Sequence, residues 1–174
     1  MCRRWDKIER LGYDLSIDDF SCGEHDIDIW FHGYALEEQE NGNCSVHVAV
    51  DSRGAIVGFF SLSMYYLQRR VLPSEARGGM PDRMVSNVPT VLLGKMGVDA
   101  RFKGSAWREA GNDPQGPLLL KEAVKIAKRT AHDVGCRLMY VQALNDDLIE
   151  WYRAQGFTSM PTKPKNLVLD LRKA

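Results

Sequence analysis

The residues whose types and spacing suit chemistry gather in one stretch, Val88 to Ala106, reading VPTVLLGKMGVDARFKGSA. Val91, Leu92 and Leu93 form a short apolar run that Met96 and Val98 extend, the pattern of a central strand buried on both faces. Gly94 and Gly97 interrupt it, as glycines do at bulges or where another backbone or a ligand comes close. Asp99 and Ala100 end the strand. Arg101-Phe102-Lys103-Gly104-Ser105-Ala106 follows as a short, basic, glycine-containing loop, with a helical pattern soon after. Strand, basic glycine loop and helix is an arrangement that cradles phosphate groups with backbone N–H groups and a helix N-terminus. A plain strand-to-helix turn with incidental charges has the same appearance, so the context must decide.

Two basic clusters lie on either side of that stretch. Arg69, Arg70, Arg77 and Arg83 fall in Leu67 to Asn87, with only Glu75 and Asp82 against them. A linker of about twenty residues inside a compact domain is unusual and often functional. It reads either as a solvated loop or as the basic rim of a substrate groove. Lys121, Lys125, Lys128 and Arg129 share one face of a later helix, again solvated or binding. His25 and His32 read as surface or core-edge histidines. Cys2, Cys22, Cys44 and Cys136 are scattered without a C-x-x-C pair and read as free thiols, neither disulfides nor metal ligands. Cys136 is not read as an acyl-carrying nucleophile, because it sits between a helix end and a strand.

The elements that must position these groups follow from periodicity. A first strand is expected in residues 5 to 10, then a helix from about Glu24 to Glu40 with Ile27, Trp30, Phe31 and Tyr34 facing the core. Cys44 to Asp51 and Ile56 to Tyr66 are strands joined by the turn Asp51-Ser52-Arg53-Gly54, so the sheet is mixed. After the glycine loop, Trp107 to Gly116 is polar and rich in breakers and reads as a loop insertion. The next helix is expected from Pro117 to Val134, burying Leu120, Ala123, Val124, Ala127, Ala131 and Val134, and ending at Gly135. A strand, Leu138 to Ala143, a short helix, Asp146 to Ala154, capped by Asn145, and a last strand, Leu167 to Leu171, complete the chain.

The bulk numbers bound the class. A chain of 174 residues implies one domain, 1–174, with a sizeable core. Hydrophobic residues at 44% and charged residues at 26% describe an ordinary globule. The apolar runs are too short to span a membrane, and the start lacks a signal-peptide core, so no membrane partner and a cytoplasmic location are expected. A net charge of +0 places any nucleic-acid binding in a local patch.

The element order resembles the GCN5-related N-acetyltransferases. That fold is α/β, with a mixed, strongly twisted sheet splayed at its fourth strand and flanked by helices. LLGKMGVDARFKGSA is similar to the family's fourth strand and pyrophosphate loop, Q/R-x-x-G-x-G/A. LLKEAV resembles the start of the following helix. LMYVQALNDDLIEWYRAQGF resembles the fifth strand and its helix, with Tyr152, Gly156 and Phe157 in the frequent Tyr-x-x-x-Gly-Phe positions. A narrower likeness is to the acetyltransferase toxins of bacterial toxin–antitoxin pairs, which acetylate the amine of aminoacyl-tRNA. It rests on the opening FSCGEHDIDIWFHGYA, on IVGFFSLS, RGGMP and VPTVLLGKMGVD, and on the terminal NLVLDLRK. The loop departs from the family in having Ala106 at the last glycine position and the Trp107–Gly116 segment behind it.

The resemblance implies acetyl-CoA as co-substrate and no metal. Backbone N–H groups near Met96, Gly97 and Val98 would stabilise the carbonyl oxygen. Arg101, Lys103, Gly104, Ser105 and Ala106 would hold the pyrophosphate. Asn145 would bond the cofactor arm or merely cap its helix. Tyr152 would be the acid for the departing thiolate or a core tyrosine. Arg69, Arg70, Arg77, Arg83, Lys121 and Lys125 would be candidates for tRNA contact. A ribbon–helix–helix antitoxin is the implied partner, and a homodimer is left open. Other readings stay open too: an acetyltransferase for a small amine or a protein amine, or a non-catalytic acyl-CoA-binding module, which the inserted segment favours.

Overall fold

The computed structural model describes residues 2–81 and 86–174. In chain order the elements are β1 (Lys7–Arg10), α1 (His25–Gly33), α2 (Ala35–Glu40), β2 (Ser45–Val50), β3 (Ile56–Gln68), α3 (Ser74–Arg77), β4 (Asn87–Val98), α4 (Gly104–Glu109), α5 (Gln115–Val134), β5 (Leu138–Gln142), α6 (Asp146–Ala154), β6 (Thr158–Met160) and β7 (Lys163–Asp170). The sheet has 7 strands in the order β1-β2-β3-β4-β5-β7-β6. It is mixed: β4 and β5 are parallel, and the β1–β2, β2–β3, β5–β7 and β6–β7 pairs are antiparallel. The β4–β5 ladder runs from Thr90↔Leu138 to Leu93↔Val141, while β4 itself continues to Val98. This is the expected splay at the fourth strand.

The chain forms two compact units, one of Met1–Leu62 with Lys95–Ala123, the other of Ser63–Gly94 with Val124–Ala174. The first is built on β1 to β3 and the end of β4. Val46, Val48 and Val50 alternate onto one face, as expected, and pack with Ile56, Phe59, Ile27, Phe31 and Ala35. Phe31 and Phe59 stack at 4.1 Å between ring centroids, and Phe20 closes on both. Leu119 of α5 covers the opposite side of β3 at Gly58. The second unit packs Leu67, Leu72, Ala76, Met80 and Val88 onto Leu138, Tyr140, Met160 and Val168.

Several elements differ from the sequence reading. The expected single helix from Glu24 to Glu40 is two, because the chain turns at Tyr34 (φ -132°, ψ -23°) behind the weak helix former Gly33. Leu67 to Asn87 is not an open linker. Its described part holds α3 and a 3-10 turn, and it buries Leu72, Ala76 and Met80. Arg83 lies outside the described residues. Trp107 to Gly116 is not a loop throughout, since α4 starts at Gly104 and α5 at Gln115. The turn between them is closed by Trp107 Nε1, which donates to the carbonyl of Asp113 at 2.8 Å, and by Gly111 at φ 77°. Val134 is 66% exposed rather than buried, because the apolar period of α5 outruns the surface that covers it. β6 and the polar first half of β7 carry too little alternation to be visible in sequence.

A Cβ on Gly58 would lie 2.8 Å from Leu119 Cδ2 and 2.9 Å from the carbonyl oxygen of Gly97. The leucine tip can move, but the backbone oxygen of β4 cannot without disturbing the sheet. Gly58→Ala is therefore expected to destabilise the protein by about 1–3 kcal/mol, the usual range for overpacking, read as a lowered midpoint in urea unfolding. An unchanged midpoint would show that β4 yields at this point.

Candidate functional site

In the first unit the candidate residues of β4 and its loop are held by the N-terminal segment Phe20-Ser21-Cys22-Gly23. Asp28, in the first turn of α1, gathers that segment. Its Oδ1 accepts from the Cys22 N–H at 2.8 Å and its Oδ2 from Ser21 Oγ at 2.7 Å and the Gly23 N–H at 3.2 Å. Burial pushes the Asp28 carboxyl up, but the bonds from Cys22, Ser21 and Gly23 outweigh it and hold it below the usual range. His32 Nε2 lies 2.8 Å from the Phe20 carbonyl, so this histidine has a structural task. The segment then meets β4. The Ala100 N–H donates to the Ser21 carbonyl at 2.8 Å. A Cβ on Gly97 would stand 3.0 Å from Cys22 Cβ and 3.1 Å from Phe59 Cε1. Gly97 is thus a glycine of close packing. Burial, then the hydrogen bond to Asp28, lifts the Cys22 thiol to about 11, which keeps it protonated and inert.

The end of β4 departs from a plain ladder at Lys95, whose N–H donates to Ser61 Oγ at 2.9 Å. Met96 is half-buried, Gly97 and Val98 are buried, and the Asp99 N–H returns to the Val57 carbonyl at 2.9 Å. Asp99, 2% exposed, organises the loop. It accepts from the Arg101 N–H at 2.9 Å and grips the guanidinium at 2.8 Å (Nε) and 2.9 Å (Nη2). That paired hydrogen bond raises the Arg101 pKa and fixes the side chain, which stays half exposed. Lys103 is the N-cap of α4 and offers no side-chain cap to its first-turn N–H groups. Gly104 takes φ 90°, a conformation for glycine, with nothing within 4 Å of a would-be Cβ. Gly104, Ser105 and Ala106 are exposed. Cationic side chains, open space and uncapped amides fit a pyrophosphate. Lys121 is exposed on α5.

The second unit carries the other candidates. Tyr152 lies on α6, 7% exposed, edge-on to Trp151 at 4.8 Å and to Phe157 at 5.4 Å. Burial lifts its phenol to about 12, so it holds its proton throughout the physiological range. Asn145 caps α6 with Oδ1 accepting from the Leu148 N–H at 3.0 Å. Arg70, Arg77 and Lys125 are exposed and Arg69 is half-buried, with its Nη2 donating to the Met80 carbonyl at 3.2 Å. Cys136 is half-buried, and burial raises its thiol pKa.

Sequence reasoning missed the clamp on Arg77-Gly78-Gly79. The Gly78 carbonyl accepts from Arg137 Nη2 at 2.5 Å and Arg172 Nη2 at 3.4 Å. Asp170 anchors both arginines, at 3.6 Å from Arg137 and 2.8 Å from Arg172. Burial and then the neighbouring Arg172 charge depress the Arg137 pKa. The Asp-x-Arg at the end of β7 was the available signal. Among the described residues no group of three or more His, Cys, Asp or Glu is placed to hold a metal, and no helix is long and apolar enough to cross a membrane.

The fold is that of the GCN5-related N-acetyltransferases. No protein-family model matches the chain. It is 28% identical over 158 residues to a tRNA-acetylating toxin of Mycobacterium tuberculosis (strain ATCC 25618 / H37Rv), covering 91% of this chain and 87% of that protein. It superposes on AtaT complexed with acetyl-methionyl-tRNAfMet with a TM-score of 0.82 at 20% identity, covering 96% and 95% of the two chains. A tyrosine-to-phenylalanine variant of the toxin AtaT, bound to the C-terminus of the antitoxin AtaR and acetyl-CoA, gives 0.73 at 19% identity, covering 96% and 94%. The motif likeness to the toxins is thus matched along nearly the whole chain.

Asp170 supplies a test of the clamp. Burial raises its carboxyl pKa, but the hydrogen bonds and charge of Arg172, with Arg137, outweigh this and lower it. Its contribution is therefore present above the unfolded carboxyl pKa near 4 and lost as pH falls through the depressed value. Asp170→Asn is expected to cost roughly 1–3 kcal/mol at pH 7 and to weaken the loss of stability on acidification. Urea midpoints measured from pH 7 down to 3 check both. Parallel curves for the two proteins would mean that the carboxylate charge is not what holds the clamp.

Proposed function

We propose that this chain is an acetyl-CoA-dependent N-acetyltransferase whose acceptor is the aminoacyl amine of a charged tRNA, and that it acts as a cytoplasmic toxin that blocks translation. The likeness to the mycobacterial tRNA-acetylating toxin over 91% of the chain carries this reading. Residues 1–174 serve as a single acetyltransferase domain, with a ribbon–helix–helix antitoxin as partner. The expected loop insertion Trp107–Gly116 begins inside a helix, α4 at Gly104–Glu109, and a loop that runs directly into a helix supports cofactor binding over a non-catalytic module.

Acetyl-CoA, when bound, supplies the acetyl thioester. Arg101, Lys103 and the amides of Gly104, Ser105 and Ala106 hold its pyrophosphate, and Asn145, its Oδ1 committed to the cap, offers its amide nitrogen to the cofactor arm. Backbone N–H groups around Met96, Gly97 and Val98 donate to the acetyl oxygen as it gains charge. The acceptor must be neutral, and an α-amine with a pKa of about 8 is substantially so near pH 7; a strong base is unnecessary. The new C–N bond forms as the C–S bond breaks, the amine releases its surplus proton to water, and Tyr152 gives its phenolic proton to the sulfur and regains one from solvent. Arg69, Arg70, Arg77, Arg83, Lys121 and Lys125 contact tRNA phosphates, which makes binding weaken with salt.

Labelled acetyl-CoA incubated with total charged tRNA is expected to place label in the tRNA fraction, and induced expression to arrest growth. Label that enters small amines or proteins and never tRNA would replace the acceptor. Tyr152→Phe is expected to lower kcat by about 100-fold, the scale of general acid catalysis. Because burial holds the Tyr152 proton to about 12, kcat/KM is expected to rise with pH as the amine deprotonates, with no falling limb below pH 10 from this group. An undiminished kcat in the phenylalanine variant would make Tyr152 structural.

A further inference from the structure

The C-terminal end of β3 presents an apolar surface that the acetyl-transfer chemistry does not use. Met64, Tyr65 and Tyr66 are consecutive and 60%, 45% and 61% exposed, with Val71 at 37% beside them. Contiguous exposed apolar groups of this kind mark an interaction site more often than scattered ones do. The rings are ordered. Tyr140, 9% exposed, lies parallel to Tyr65 (12°, 5.4 Å), and Tyr65 lies nearly parallel to Tyr66 (19°, 6.1 Å). The three form a staircase that starts in the core and ends in solvent. Tyr65, Tyr66, Leu67, Gln68 and Val71 line an open groove of about 280 Å³. That falls below the roughly 300–1,000 Å³ of pockets that enclose small molecules, and suits a flat ring laid against a wall.

Charge selects the occupant. Among the described residues none that lines the groove is acidic, and Gln68 Oε1 accepts from Arg70 Nε at 2.8 Å, which ties the exposed guanidinium to the groove's rim. A stacking face beside an arginine matches an unpaired nucleotide, with its base on the tyrosines and its phosphate at the guanidinium. We propose that Tyr65 and Tyr66 form a base-stacking platform, with Arg70 at its rim, for a nucleotide of the unpaired 3′ end of the tRNA. This inference rests on the aminoacyl-tRNA reading above and names the part of that substrate the surface takes.

The test uses the whole protein and two readouts. The first is a short single-stranded RNA carrying 2-aminopurine at its 3′ end, whose fluorescence falls when the base stacks on an aromatic ring. Quenching is expected with the native protein and with Tyr66→Trp, and its loss with Tyr66→Ala. The second is the acetylation of charged tRNA, where Tyr66→Ala is expected to raise KM by about 10-fold, within the range of one lost base–aromatic stack, and Tyr66→Trp to restore it. Tyr66 lies mostly in solvent, so an unchanged melting temperature verifies that the alanine variant folds. If charged tRNA is acetylated with the same KM by native protein and Tyr66→Ala, the platform is wrong while the substrate reading stands. If tRNA is not acetylated at all, the oligonucleotide decides alone: quenching that Tyr66→Ala abolishes supports an RNA platform without that substrate, and no quenching overturns it. A Tyr66→Ala variant that only turns a dimer into monomers, with quenching intact, assigns the surface to a second copy of the chain.

Discussion

The contact between Cys22 and Gly97 is the point on which the first unit turns. It requires a residue without a Cβ on β4, a small thiol opposite, and Phe59 beside both. Each neighbour depends on it. Gly58 exists because the Gly97 carbonyl comes within 2.9 Å of where its Cβ would be. The segment from Phe20 to Gly23 can approach only because Asp28 satisfies its backbone and hydroxyl donors. Of these donors the Cys22 N–H is the one on a buried residue, and left unmet it would cost roughly 1–3 kcal/mol, so the carboxylate and the glycine act together. The opening of the chain is therefore a brace for the end of β4, and the loop that follows inherits its position.

The same economy governs Arg101. A basic residue in a glycine loop suggests a charge aimed outward, yet two of its nitrogens lie against Asp99. Asp99 is almost wholly buried and would be costly there without a partner. Arg101 thus settles the charge of its neighbour and keeps half its surface in solvent. Lys103, with no such partner in sequence, leaves the first turn of α4 uncapped. In the second unit Asp170 does for Arg137 and Arg172 what Asp99 does for Arg101, and two arginines converge on one glycine carbonyl.

Much of this was legible in the residues. The alternation of Val46, Val48 and Val50, the turn at Asp51–Gly54, the cap at Asn145 and the span of α6 are local matters of period and turn chemistry, and they stand as read. The breaks came where polarity misled. Trp107 to Glu109 is helical although its neighbours are breakers, because Trp107 packs on Phe102 and bonds Asp113 across the turn. The segment after β3 reads as a linker by its arginines, but Leu72, Ala76 and Met80 are spaced to be buried and the arginines merely surround them.

By itself the sequence determined the principal strands and the mixed sheet, the glycine loop behind β4, and the positions of Tyr152 and Asn145 at one short helix. These follow from periodicity, caps and breakers acting over a few residues. Only the tertiary structure decided what the glycines and acids are for. That Gly97 is small for Cys22, that Asp28 holds a segment six residues behind it, that Asp170 clamps Gly78, and that Tyr140, Tyr65 and Tyr66 lie in one staircase are consequences of packing between residues distant in the chain. Periodicity carries no information about which atoms lie within 4 Å across a sheet, and the stacking of Tyr65 of β3 on Tyr140 of β5, two strands away, is set by register and twist.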